Sequence, residues 1–203
     1  MFTALHNFCA VDLSSFYFDI RKDTLYCDPV DSLHRRAART VLDRLFLSLT
    51  AWLAPIIPFT AEEAWLTRFP EENEEGSIHL REFPKIEPDW CDEALAKKWQ
   101  LVRNLRRVVT GALEIERAEK RIGSSLGADA IVYASPAYHE ALTEINLADL
   151  CITSAACFDD DEAPADAFFI ADVPDIRVTI KACLLYTSPS PRDLSTSRMP
   201  SSA

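Results

Sequence analysis

Hydrophobic residues recur at three- and four-residue intervals in four stretches of the chain, and this spacing predicts four amphipathic helices. The first occupies about residues 1–20, the second runs over about 28–54, and the fourth over about 92–121. Asp28, followed by proline, is typical of the start of a helix. The apolar stripe of the fourth helix consists of Leu101, Leu105, Val108, Ala112 and Ile115. Four such helices indicate a bundle over residues 1–121.

The third helix is predicted to start after a break in the sequence APIIPFTAEEAW. Pro55 and Pro58 lack a backbone N–H, so no regular helix runs through both. Thr60 and Glu63 fit a capping box, in which each side chain bonds an N–H group that the new helix leaves free. Pro70 then ends this helix. The stretch is therefore predicted to be a corner between two core helices rather than a membrane hairpin.

The pattern changes from helical to mixed after Arg121. Residues 122–182 combine β-prone runs, such as ADAIVY and IRVTI, with a helical stretch, AYHEALTEI, and an acidic loop, DDDEAPAD. This mixture predicts a small α+β domain next to the bundle. Residues 183–203 are rich in Ser and Pro and have no periodicity, as a disordered tail would. They also resemble a translated adaptor sequence, and this foreign origin is the interpretation we favour.

Composition narrows the class of protein. A chain of 203 residues with 48% hydrophobic side chains can form a packed core. It has four glycines, and neither glycine-rich nucleotide-binding motif occurs in it. The longest uncharged run has 17 residues and two prolines, which is short for a membrane helix. Scattered cysteines and the lack of a signal-peptide pattern indicate a cytoplasmic protein with reduced thiols.

Charge is distributed unevenly along the chain. The net charge is −11, but residues 97–121 hold eight basic and three acidic side chains. This basic segment lies between two acidic ones and predicts a surface for a polyanion, because Lys and Arg neutralise phosphates. The alternative is a solvated helix face, with Glu114 and Glu116 as partners. The candidate phosphate-binding residues are Lys97, Lys98, Arg103, Arg106, Arg107, Arg117, Lys120 and Arg121.

The sequence offers little material for catalysis. The four histidines are isolated from residues that would complete a relay or a metal site, so they are predicted to be surface or packing residues. Cys151 and Cys157 are spaced too widely for a zinc knuckle. The motifs HExxH, GxSxG and CxxC do not occur. We therefore predict no catalytic residue and no metal site in this chain.

Five segments resemble one family. FYFDIRKDTLYCD at residues 16–28, LAPIIPFTAEEAW at 53–65, SIHLREFP at 77–84 and EKRIGSSLGADAIVY at 119–133 are similar to stretches of isoleucyl-tRNA synthetases, as is LADLCITSA. Valine enzymes share the PFTAEEAW type of element but not the FYFDIRKD type. The resemblance extends over about residues 2–182.

The resemblance implies a mainly α fold: the anticodon-binding helix bundle of a class I synthetase, followed by a small α+β domain. The intact family enzyme uses ATP to activate isoleucine, transfers it to tRNA and edits valine. The implied role of this chain is to bind tRNA, specifically the isoleucine acceptor, as a monomer without membrane contact. No cofactor is expected in the fragment itself. ATP and magnesium are expected for the intact enzyme, with zinc as a further candidate.

The sequence departs from the family pattern in three respects. Gly127 stands where the family has glutamate, and Cys183 is followed by leucines instead of the family's zinc-binding C-x-x-C ribbon. The HIGH and KMSKS adenylation motifs and the editing domain are also missing, which implies a fragment that begins within the first bundle helix and is inactive alone. Two alternatives stay open: a helical protein-interaction module, and the equivalent domain of a valine-type enzyme.

Overall fold

The computed structural model describes residues 2–70 and 76–183. The chain divides into two compact units, Met1–Asp92 and Glu93–Ala203. The first is helical, and the second combines helices with a four-stranded sheet. The predicted fold class, a helical region followed by an α+β part, is therefore confirmed.

The division between the compact units does not coincide with the boundary predicted after residue 121. It falls before α5 (Glu93–Ala118), the fourth of the predicted bundle helices, because this helix packs on the sheet of the second unit. The predicted tail, residues 183–203, lies outside the described residues apart from Cys183.

Helical backbone runs continuously from Phe2 to Tyr26 in three parts. α1 (Phe2–Asn7) leads into a π-helical stretch (Phe8–Phe18), and α2 (Asp19–Tyr26) follows. The helix predicted over the first twenty residues is present, but its central turns are wider than α-helical turns. A wider turn changes the spacing at which side chains share a face. Leu13 is the one residue of this described stretch that is buried.

The second predicted helix, α3 (Leu33–Leu53), begins later than predicted. Its N-cap is Ser32, whose side-chain oxygen accepts a hydrogen bond from the backbone N–H of Arg35 at 3.4 Å. The predicted start at Asp28 is wrong. Asp28 instead accepts a hydrogen bond from the Ser32 hydroxyl at 3.0 Å. Pro29 begins a turn there, because its fixed φ suits a turn as well as the first residue of a helix.

The predicted corner between two helices is present but is built differently. α3 ends at Leu53, and α4 (Pro58–Arg68) has proline as its first residue. Ile57 is the N-cap and gives no side-chain hydrogen bond, so the capping box of Thr60 and Glu63 is wrong. Proline suits the first helical position because the N–H it lacks would have no partner there. Proline geometry thus sets the start of this helix.

Trp65 forms the centre of the core of the first unit. Its side chain is buried against Ala51, Ala54, Ala61 and Ile78. Its ring stacks on Phe46, with 6.3 Å between centroids, and lies 4.6 Å from Phe69. The indole Nε1–H donates a hydrogen bond to the Gly76 carbonyl at 2.6 Å. This hydrogen bond connects Gly76 to α4.

Glu62 of α4 forms hydrogen bonds to Ser77 and Ile78. Its carboxylate accepts hydrogen bonds from the Ser77 hydroxyl at 2.9 Å and from the Ile78 N–H at 3.0 Å. The segment SIHLREF contains a 3-10 turn over Ile78–Leu80. The Ser77 side chain caps this turn by accepting a hydrogen bond from the His79 N–H.

In the second unit, α5 buries a long apolar stripe: Val102, Leu105, Val108, Val109, Ala112 and Leu113. Most of the predicted stripe is confirmed, but Ile115 is 41% exposed and lies outside it. The chain leaves the helix through Lys120, whose φ of 58° is in the left-handed region that ends many helices.

The sheet has the strand order β2-β1-β4-β3. Its strands are β1 (Ala128–Ala134), β2 (Ala155–Phe158), β3 (Phe168–Ile170) and β4 (Val173–Ala182). β1 is parallel to β2 and antiparallel to β4, which is also antiparallel to β3. Two short helices, α6 (Pro136–Leu142) and α7 (Leu147–Cys151), connect the two parallel strands.

α5 lies close against the sheet. A Cβ atom placed on Gly111 would stand 3.0 Å from the Phe168 ring of β3, so a larger side chain there would push the helix and strand apart. Val132 of β1 and Val178 of β4 are almost completely buried. The predicted α+β region is therefore confirmed, with α5 as part of its core. Within the described part of the chain, none of the helices combines the length and apolar content that a bilayer crossing requires.

Candidate nucleic-acid interface

The eight basic residues predicted to bind phosphate all belong to α5 or to the turn that follows it. Four of them pair with carboxylates of the second unit: Lys98, Arg107, Arg117 and Arg121. An arginine or lysine already paired with a carboxylate has less to gain from a phosphate, since the pair must open first. The predicted stripe is thus partly neutralised by its own neighbours.

The middle of α5 holds Arg106 and Arg107 in different environments. The half-buried Arg106 donates from Nε–H to the Leu150 carbonyl at 2.9 Å, near the end of α7. Arg107 is more exposed and lies 3.4 Å from a carboxylate oxygen of Asp172. Arg103 is half-buried. Arg106 therefore has a structural role that the sequence analysis did not predict, while Arg107 lies at the surface.

The end of α5 carries a small network of charges. Arg117 pairs with Glu114, and Arg121 pairs with both Glu116 and Glu119. The hydrogen bond from Arg121 lowers the pKa of Glu116 and raises the pKa of Arg121 itself. The carboxylate thus stays ionised at neutral pH. The alternative interpretation, a helix face with glutamate partners, describes this end of the helix well.

Two lysines of the predicted stripe lie at the surface, and the third, Lys98, is half-buried. Lys97 and Lys120 are exposed, and no ion pair joins either of them to another residue within 2–70 or 76–183. The ammonium group of Lys98 lies 3.6 Å from Glu144, whose side chain is 84% exposed. Such an exposed pair is worth little and can open readily.

A second basic surface lies in the first unit, and the sequence analysis did not select it. We call it the arginine groove. It is a cavity of about 970 Å³ lined by Phe18, Arg36, Arg39, Thr40, Leu42, Asp43, Arg44, Leu45, Phe46, Leu49 and Arg68. Residues 1–60 contain six basic and six acidic side chains, so their net charge of zero concealed the groove, although only Asp43 of the six carboxylates lines it. The three-residue spacing of Arg36 and Arg39 was the signal available in the sequence.

The second unit has a pocket of about 570 Å³ with the opposite character. Three consecutive aspartates, Asp159, Asp160 and Asp161, line it together with Asp175. His139 packs there by stacking on Phe158, with 4.1 Å between ring centroids, in keeping with its predicted packing role. Carboxylates repel phosphate, so this pocket does not suit a nucleic acid.

Cys151, a potential nucleophile, lies in the core of the second unit. Burial raises the pKa of the Cys151 thiol to about 12, against a smaller opposing effect of the Arg106 charge. The thiol is therefore protonated at neutral pH and is a poor nucleophile. Within the ranges that the structure describes, no group of three His, Cys, Asp or Glu side chains could hold a metal ion.

Comparison with known families shows which family the chain belongs to. A family model described as "Anticodon-binding domain of tRNA ligase" matches residues 1–132. The chain belongs to this family. The anticodon-binding match covers the whole first unit, α5 and most of β1. Both basic surfaces therefore lie within the part of the chain that defines the family.

Three similar proteins are named isoleucine–tRNA ligase. The protein of that name from Agrobacterium fabrum is 51% identical over 179 residues, which is 88% of this chain and 18% of the relative. That from Bartonella henselae is 49% identical over 176 residues, 86% of this chain and 18% of the relative. That from Rhodopseudomonas palustris is 48% identical over 182 residues. The chain thus spans less than a fifth of the length of these relatives.

Proposed function

We propose that this chain is the anticodon-binding part of an isoleucine–tRNA ligase and that it binds the tRNA that accepts isoleucine. The observation that carries the proposal is the combination of the family match over residues 1–132 with about 50% identity to isoleucine–tRNA ligases over 86% of the chain. The whole protein would charge this tRNA with isoleucine in an ATP-dependent reaction. ATP and magnesium would act at parts of that protein outside this sequence, as would any zinc.

We further propose that the phosphate contacts of the second unit come from the basic residues on and after α5 other than Arg106, which bonds a backbone carbonyl. Lys97 and Lys120 are exposed and would contact the backbone directly. Arg107 would have to exchange an exposed ion pair with Asp172 for a phosphate, at small cost. The protein would act in the cytoplasm as a monomer, which suits its net charge of −11 and the absence of a membrane-spanning helix among the described residues.

Binding to RNA tests the proposal directly. We expect the full chain to bind a fluorescein-labelled anticodon stem-loop of isoleucine tRNA, with an affinity that falls as salt rises, because phosphate contacts release counterions. Fluorescence anisotropy at several salt concentrations measures this. The matched control is a stem-loop of the same length with a valine anticodon. Equal affinity for both stem-loops would contradict the isoleucine assignment, and no binding to either would contradict the proposed function.

We also expect the chain alone to show no isoleucine-dependent ATP–pyrophosphate exchange. The sequence contains neither an adenylation motif nor a glycine-rich phosphate-binding motif. The positive control is a full-length isoleucine–tRNA ligase assayed under the same conditions. Exchange above the background of a reaction without isoleucine would show that this expectation is wrong.

A further inference from the structure

The arginine groove of the first unit is the strongest unassigned feature of the molecule. We propose that it binds the phosphate backbone of RNA, so that RNA contacts extend beyond the residues predicted on α5. This inference rests on the proposed function, because it takes the RNA to be the tRNA of that proposal. It adds a surface in the other compact unit, on residues that neither the family match nor the relatives' names single out.

Charge favours a polyanion at this surface. Four arginines line the groove against one carboxylate, Asp43. That carboxylate already pairs with Arg68 at 3.2 Å, which leaves three arginine charges without a partner in the groove. Arg36, Arg39 and Arg44 are exposed, and no carboxylate within residues 2–70 or 76–183 forms an ion pair with them. This differs from α5, where carboxylates pair with Lys98, Arg107, Arg117 and Arg121.

The type of side chain also favours phosphate. The guanidinium group of arginine presents donors in a planar fork that matches two phosphate oxygens, and it is more weakly hydrated than the ammonium group of lysine. The groove contains arginines and no lysine. Arg36 and Arg39 are three residues apart on α3, a spacing that places them on neighbouring positions of one helix face. They can therefore contact the same phosphate or consecutive ones.

The apolar lining of the groove suits RNA in a different way. Half-buried Leu42, Leu45 and Leu49 lie among the exposed arginines, and the Phe18 ring is 39% exposed. Single-stranded and looped RNA binds where cationic side chains follow the backbone and an aromatic ring offers a stacking surface. The groove provides both elements, because arginines and the accessible Phe18 line the same cavity. A duplex, whose bases are already stacked, would use only the charges.

Removal of two arginines tests the groove. We expect Arg36→Ala/Arg39→Ala to raise the Kd for the labelled isoleucine stem-loop by about tenfold and to reduce the salt slope by about 1 to 2, because each lost phosphate contact removes nearly one released ion. Both side chains are exposed, so the fold should persist, and circular dichroism checks this. The charge-matched control is Lys85→Ala/Lys181→Ala, two exposed lysines outside the groove, which should change the Kd less than threefold (an order-of-magnitude bound for screened charges).

A conservative variant separates geometry from charge. Arg36→Lys/Arg39→Lys keeps both charges, so most of the salt slope should remain while part of the affinity is lost with the bidentate contacts. An unchanged Kd in the alanine variant, when the unaltered chain binds, would overturn the groove and leave the proposed function intact. Failure of the unaltered chain to bind any stem-loop would overturn both.

The test also distinguishes RNA from two other occupants of the groove, an acidic protein segment and a second copy of this chain. Displacement of the RNA by poly-L-glutamate at equal charge concentration would overturn the proposal, because it would show that an acidic protein segment fits as well. Sedimentation equilibrium that finds a dimer in the unaltered chain and a monomer in Arg36→Ala/Arg39→Ala would also overturn it, in favour of a second copy of this chain. Resistance to poly-L-glutamate together with a monomer in both variants supports RNA.

Discussion

Replacing Trp65 with alanine is expected to lower the free energy of unfolding of the first unit by about 3–5 kcal/mol, the range seen when a buried large aromatic side chain is removed. Trp65 is 6% exposed and contacts Phe46 and Phe69, so its removal leaves a cavity between α3 and α4. It also leaves the Gly76 carbonyl without its indole donor. The two helices that carry the arginine groove depend on this contact.

The measurement is urea unfolding followed by circular dichroism, with hydrogen exchange by mass spectrometry to locate the loss. Trp90→Ala is the matched control, because the same atoms are removed from a side chain that is 56% exposed, and its effect should stay within about 0.5 kcal/mol. Trp65→Phe keeps most of the apolar contact and removes the N–H donor, at an expected cost of about 1–3 kcal/mol. Equal stability of the Trp65→Ala and Trp90→Ala variants would refute the central role of Trp65.

The fold illustrates which features sequence periodicity can predict. The apolar stripe of α5 extends over many turns, so its existence and most of its buried residues followed from spacing alone. Helix starts were less predictable, because Asp28, Ser32, Pro58 and Thr60 all have side chains or ring geometry suited to a helix start. The choice among them depends on competing local hydrogen bonds and on proline geometry. The sequence therefore indicates several candidate residues for each helix start but does not show which of them begins the helix.

The apolar stripe of α5 also does not predict which elements this helix packs against. The same stripe on α5 would fit three helices of a bundle or one face of a sheet, since both present apolar side chains. The periodicity of α5 predicted a bundle helix and gave no sign of its contacts with β4, β3 and β1. Contacts as specific as that between Gly111 and Phe168 of β3 depend on residues distant in sequence.

The candidate site shows the same limit for charges. Counting charges along the chain found the basic segment of α5 but could not show that Arg106 bonds a carbonyl or that Arg107 faces Asp172, because those partners lie 44 and 65 residues away. The arginine groove was missed for the converse reason. Its arginines share a sequence region with six aspartates, of which only Asp43 lines the groove. A one-dimensional charge count therefore overestimated one surface and did not reveal the other.

Replacing Arg106 with alanine is expected to lower the free energy of unfolding of the second unit by about 1.5–3 kcal/mol, the cost of losing a hydrogen bond from a charged donor. The Nε–H group of Arg106 donates to the carbonyl of Leu150, which is 3% exposed. Without that donor the carbonyl near the end of α7 loses both its partner and a cation close to the negative end of a helix. Urea unfolding with hydrogen exchange of the α7 segment measures the effect.

Arg107→Ala is the matched control, since it removes the same atoms from the next residue of the same helix. The side chains of Arg107 and Asp172 are 50% and 80% exposed, so loss of this ion pair should lower the free energy of unfolding by about 0–1 kcal/mol. The two variants should rank in the opposite order for RNA affinity. At a temperature where both are folded, Arg107→Ala should weaken stem-loop binding more than Arg106→Ala. The reason is that Arg107 can exchange its exposed carboxylate partner for a phosphate at small cost, whereas Arg106 is held by a backbone carbonyl. If Arg106→Ala left stability unchanged and weakened RNA binding more, Arg106 would be an RNA contact rather than a structural arginine. Charge counting alone treats Arg106 and Arg107 as equivalent, whereas the stability and RNA-binding measurements together assign each of them a role.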